Sequence, residues 1–90
     1  SGLHTEWQPF WDQFSAIIDN SEELPDVVKF TYLRSLLKGE AKSVIAGLSL
    51  TGAHYKAAKT SLTKRYGRTE RLIFISIYFK YDAVISQKRR

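Results

Sequence analysis

"KFTYLRSLLKGEA", residues 29–41, is a helical apolar pattern that meets a glycine and then resumes at once. On a helical projection Thr31, Arg34, Ser35 and Lys38 form a polar stripe, while Val28, Phe30, Tyr32, Leu33, Leu36 and Leu37 fill most of the remaining circumference. A helix apolar over so wide an arc belongs in the middle of a bundle. Upstream, Pro25 suits the first helical turn, and Ser21, Glu22, Glu23 and Asp26 place polar and negative groups near the positive helix end. The helix is therefore expected to run from there to about Leu37. Gly39 can adopt the left-handed conformation that closes it, with Lys38 against its negative end. Glu40 opens a short second segment, "EAKSVIAGLSL", which Gly47 interrupts and from which Leu48 and Leu50 are expected to reach the core.

Working outward, "TEWQPFWDQFSAIIDN" (5–20) sets Trp7, Phe10, Trp11, Phe14, Ile17 and Ile18 within one arc, opposite Gln8, Asp12, Ser15 and Asp19. The spacing predicts an amphipathic helix over roughly 6–19, with Thr5 and Gln8 as a capping box and Pro9 in the first turn. Thr51 is expected to cap a further helix over 53–66, with a narrow stripe of Tyr55, Ala58, Leu62 and Tyr66, stopped by Gly67. Thr69 is expected to cap a fifth. Short connections and the lack of repeats make residues 1–90 a single all-α domain, a compact bundle of about five helices.

The chain has 90 residues, no cysteine and a net charge of +5. A chain of this size hides only about 60% of its unfolded surface, so its core is thin and partners can complete it. The missing cysteines exclude disulfides, thiolate zinc sites and cysteine catalysis, and fit a reducing, cytoplasmic compartment. Residues 1–50 carry four Lys/Arg against seven Asp/Glu, and residues 51–90 carry ten against two. One half is acidic and the other strongly basic, a division that can steer nucleic acid to one side or bring copies together head to tail. The longest apolar tract, Leu72 to Ile85, is too short for a membrane span and is interrupted by Ser76, Lys80 and Asp82. No signal-peptide pattern is expected at the start.

No chemistry-bearing motif stands out. His4 and His54 lie outside any metal-ligand spacing, the acidic residues sit where helix starts favour them, and no phosphate loop, nucleotide fingerprint or nucleophile elbow occurs. A non-enzymatic domain without metal, cofactor or small-molecule substrate is expected.

Taken in order, "EWQPFWDQF" (6–14), the acidic link "NSEELPD" (20–26) and "VVKFTYLRSLLKGEAKSVIAGLSLTGAHYKAAKTSLTKRYGR" (27–68) resemble the amino-terminal Gag capsid lobe of LTR retrotransposons. The resemblance covers about residues 6–71. It is closest to the Bel/Pao group and looser to Ty3/Gypsy Gag and its domesticated relatives. Lys29, Tyr32, Leu33, Leu36, Leu37, Gly39 and Ala41 carry most of it, followed by Tyr55, Leu62 and Tyr66-Gly67. It implies a helical lobe that assembles with copies of itself around RNA, with Gly39 and Ala41 at a tight corner between helices.

The carboxyl segment "RLIFISIYFKYDAVISQKRR" (71–90) departs from that pattern. Read as a helix it has a main apolar face and a second patch of Leu72, Ile75 and Phe79, which is expected to mediate self-association by helix pairing or exchange. Burying those three side chains would contribute roughly 1.5–3 kcal/mol each. The alternative is a strand, because β-branched and aromatic residues alternate with Ser76, Tyr78, Lys80 and Asp82. Lys56, Lys59, Lys64, Arg65, Arg68, Arg71, Lys88, Arg89 and Arg90 are candidate contacts to RNA phosphates, weighed against a solvated face. Trp7, Trp11 and Tyr32 are candidates to line a peptide groove in an adaptor role.

Overall fold

The computed structural model describes residues 2–68 and 71–76. Strand β1 (Gly2–Glu6) leads into helix α1 (Trp7–Phe14), whose last part widens into a π-helical turn over Ser15–Asp19. Helix α2 (Asp26–Leu36) follows, then a two-residue strand β2 (Leu37–Lys38), helix α3 (Gly39–Ile45), helix α4 (Gly52–Tyr66) and strand β3 (Leu72–Ser76). The described part is mostly helical, with a small sheet ordered β1-β3-β2.

The break at Gly39 now has a physical reason. Gly39 takes a φ of +58°, the left-handed region that costs a side-chain-bearing residue roughly 1–2 kcal/mol. Leu37 and Lys38 before it are extended instead of helical, which frees their backbone to pair with Ile75 and Phe74 of β3. The helix thus ends at Leu36, before the expected Leu37, Leu37 and Lys38 supply one edge of the sheet, and Gly39 turns the chain into α3. On the other side β3 pairs antiparallel with β1, from Gly2 opposite Ser76 to Glu6 opposite Leu72.

The core gathers one face of each helix and of strands β2 and β3. Trp7, Phe10, Phe14 and Ile18 come from the first helix, Phe30, Leu33 and Leu36 from α2, and Tyr55, Ala58, Leu62 and Tyr66 from α4. Ala41 and Ile45 of α3 close the corner, and Leu37, Ile73 and Ile75 bring in the inner face of the sheet. The helical stripes therefore lie where their spacing puts them. Thr51 caps α4 through its hydroxyl, which accepts from the His54 backbone N–H at 3.2 Å.

Four expectations are corrected. The helical, compact character holds, but among the described residues four helices stand beside a small sheet, so the fold is not all-α: residues 72–76 are the sheet's central strand, because in that place both of the strand's backbone edges find partners. The Thr5–Gln8 capping box is absent, since Thr5 is held in β1 and Gln8 donates to Asp12 at 2.8 Å. Leu50 is exposed, and only Leu48 packs on the core. Tyr32 stands half out of α2 at 48% exposure, because α4 and the sheet cover α2 on its other sides. The proposed cap Thr69 and everything from residue 77 onward lie outside the described residues.

Candidate functional site

Strand parity divides the carboxyl segment between two surfaces. Ile73 and Ile75 point into the core at 2% and 4% exposure, whereas Leu72 and Phe74 face outward at 57% and 42%. Phe74 lies under the His4 ring, centroids 3.6 Å apart, and its backbone is opposite Lys38. Next to it a cleft of about 410 Å³ runs to the Gly39 corner, lined by His4, Gly39, Glu40, Ala41, Tyr66, Leu72, Ile73 and Phe74. The self-association patch of Leu72, Ile75 and Phe79 is therefore not one surface: Leu72 is exposed, Ile75 is buried behind it, and Phe79 lies outside the described residues. Alternation puts Phe74 beside Leu72 in Ile75's stead.

At the corner's edge the Glu40 carboxylate is gripped by two arginines. Arg65 donates through Nε and Nη2 at 3.0 and 2.7 Å, and Arg71 through Nη2 at 2.8 and 3.0 Å. The Arg65 hydrogen bond foremost, with the Arg71 charge, holds the Glu40 carboxyl below its ordinary range despite some opposing desolvation. The Arg65 guanidinium is raised by the same bond. Arg71 also lies over the Tyr66 ring, 5.8 Å from its centroid. The cluster clamps the end of α4 and the approach to β3 onto α3.

A second polar node fixes the π-helical turn. Asp19 accepts from the Tyr55 hydroxyl at 2.5 Å and from Lys59 Nζ at 3.0 Å, while its carbonyl oxygen accepts from Lys29 Nζ at 2.8 Å. Burial raises the Asp19 carboxyl, but the bonds from Tyr55 and Lys59 and the charges of Lys59 and Lys29 outweigh it, and the net shift is downward. Burial, together with the Asp19 charge, pushes the Tyr55 hydroxyl upward, so it stays a donor. The node ties α1, α2 and α4 together at a half-buried position.

The basic residues consequently fall into two groups. Lys59, Arg65 and Arg71 are committed to carboxylates within the fold. Lys56, Lys64 and Arg68 are exposed and make no ion pair or hydrogen bond among the described residues, and Lys88, Arg89 and Arg90 lie outside them. Of the groove candidates, Trp7 and Trp11 stack at 5.4 Å in a cleft between α1 and α4, and Tyr32 is not among its lining residues. Among the described residues no group of His, Asp and Glu suits a metal ion, and no helix is long and apolar enough to cross a membrane.

These features define a small, mostly helical domain with an apolar sheet face. The chain belongs to the family described as protein of unknown function (DUF1759), whose family model matches residues 1–81 and which is known from retrotransposon-related proteins. Comparison with curated proteins and with solved structures gave no match.

Proposed function

We propose that this domain is a structural Gag-type capsid unit, non-enzymatic and cytoplasmic, whose work is assembly with copies of itself and for which RNA is the cargo. The observation that carries the reading is the outer face of β3, where Leu72 and Phe74 are 57% and 42% exposed on adjacent outward positions. Apolar side chains side by side on a regular sheet gain most from a matching surface, and a second copy supplies one of the same composition. Membership of a family known from retrotransposon-related proteins and the Gag-like order of motifs across residues 6–71 support it. The residues doing the work are then Leu72 and Phe74, with His4 and the Gly39 corner at the rim.

Sedimentation velocity across protein concentration and ionic strength tests this, with Phe74→Asp alongside the parent protein. The parent should form dimers or larger species as concentration rises. Phe74→Asp should remain a monomer with an unchanged circular dichroism spectrum, because the side chain it replaces faces outward. A parent that stays monomeric throughout overturns the proposal.

A further inference from the structure

The chain has two tryptophans, and both line the cleft of about 600 Å³ between α1 and α4. Trp7, 2% exposed, forms its floor, and the half-buried Trp11 stacks on it with an interplanar angle of 12°. The facing wall belongs to α4 and its end: Thr60, Thr63, Lys64, Gly67 and Arg68. Among the described residues no carboxylate lines the cleft, and the nearby Asp12 accepts from the Gln8 amide at 2.8 Å.

Lys56, Thr60 and Lys64 follow one another at four-residue steps along α4, the spacing of a helix ridge, each about 6 Å along the axis, and Arg68 follows in the turn beyond the helix end. Three of the four are cations, and among the described residues none of them meets a carboxylate, in contrast to Lys59, Arg65 and Arg71. A flat indole beside a row of uncommitted cations matches a ligand that alternates a planar aromatic ring with an anion. Single-stranded nucleic acid has that repeat: bases stack on aromatic side chains while phosphates follow a basic groove. A protein segment rich in Asp and Glu would satisfy the cations but leave the indole wall without a planar partner.

We propose that the α1–α4 cleft is a binding site for single-stranded nucleic acid, with a base packed against Trp11 and successive phosphates on Lys64 and Arg68. This inference rests on the proposed RNA cargo, and because the cleft shares no described lining residue with the Leu72–Phe74 sheet face, binding can be tested apart from assembly.

The test is a titration of the Phe74→Asp protein with a short oligouridylate and its oligodeoxyuridylate counterpart, read by intrinsic tryptophan fluorescence. Because both tryptophans line the cleft, quenching reports its occupation directly. Binding should weaken steeply with salt. In Lys64→Ala/Arg68→Ala the slope of log affinity against log salt should shrink by about 1.4, or 0.7 for each single-strand phosphate that is no longer neutralised. Lys42→Ala, which removes one cation from α3 outside the cleft, should leave the slope unaltered. Trp11→Ala should weaken binding roughly 5- to 150-fold, the loss of one base–aromatic stack. A preference for the uridylate would add the 2′-hydroxyl to the recognised groups, and equal affinity would confine recognition to base and phosphate. Unchanged fluorescence at saturating oligouridylate overturns the proposal. So does equal quenching by polyglutamate at matched charge, or a double variant with the parent's salt slope.

Discussion

Replacing Leu72 and Ile75 with alanine, one at a time, tests the strand through which the fold closes. The two are three residues apart, so a helix would put them on one face with similar costs. In the sheet they face opposite ways: Ile75 is 4% exposed among core side chains, and Leu72 is 57% exposed. Truncating a buried isoleucine to alanine costs about 2–5 kcal/mol, from forfeited transfer energy plus the cavity left behind. Leu72 keeps less than half of its surface covered, so its truncation should forfeit only about 1 kcal/mol of the roughly 1.5–3 kcal/mol that full burial is worth. For a domain of this size 1 kcal/mol shifts Tm by about 4–8 °C, so a loss near 3 kcal/mol lowers it by roughly 12–24 °C. Thermal and urea unfolding followed by circular dichroism, at low protein concentration to suppress association, measures both. Equal losses for the two variants would refute the strand and the surface built on it.

Two other outcomes follow from local geometry. Gly39→Ala should destabilise by about 1–2 kcal/mol from the left-handed backbone alone, since an added Cβ would meet Phe74 at an ordinary 3.6 Å; urea unfolding showing no loss would contradict that conformation. Asp19→Asn should cost about 1–2 kcal/mol at neutral pH, by weakening charge-assisted bonds from Tyr55 and Lys59. Because the folded carboxyl lies below its ordinary value of 3.8, the contribution is complete above that value and is lost as pH falls through the lower, folded one. The stability gap between parent and variant should therefore be flat from neutral pH to about 5 and close in stronger acid. A gap that narrows already above pH 5 or so would show that the shift is upward.

Helix α1 with its π-helical extension, α4 with its Thr51 cap, and the Gly39 corner were all legible, because each is written in side chains three or four residues apart. The sheet was not. Leu37–Lys38 is too short to carry a pattern, and "GLHTE" has none of the β-branched alternation that marks a strand. Residues 72–76 satisfy helical and strand periodicity at once, and only their distant partners decide between them. Tyr32 failed for a related reason: a projection shows which residues share a face but not which faces are covered. Charge followed the same limit. That Glu40 occupies Arg65 and Arg71, while Lys64 and Arg68 meet no carboxylate among the described residues, depends on side chains 25 or more positions apart meeting in space. The paired tryptophans were visible as a stripe, yet their basic neighbours belong to another helix.

The middle position of β3 also governs when the domain can become complete. Among the described residues the first and second strands meet only through the third, so there neither has a strand partner until residues 72–76 have been made. A chain leaving the ribosome can form its helices early, but its opening residues must wait for the strand that pairs with them. Shortening the chain before Leu72 would strand both neighbours at once and uncover the side of the core that Ile73 and Ile75 seal.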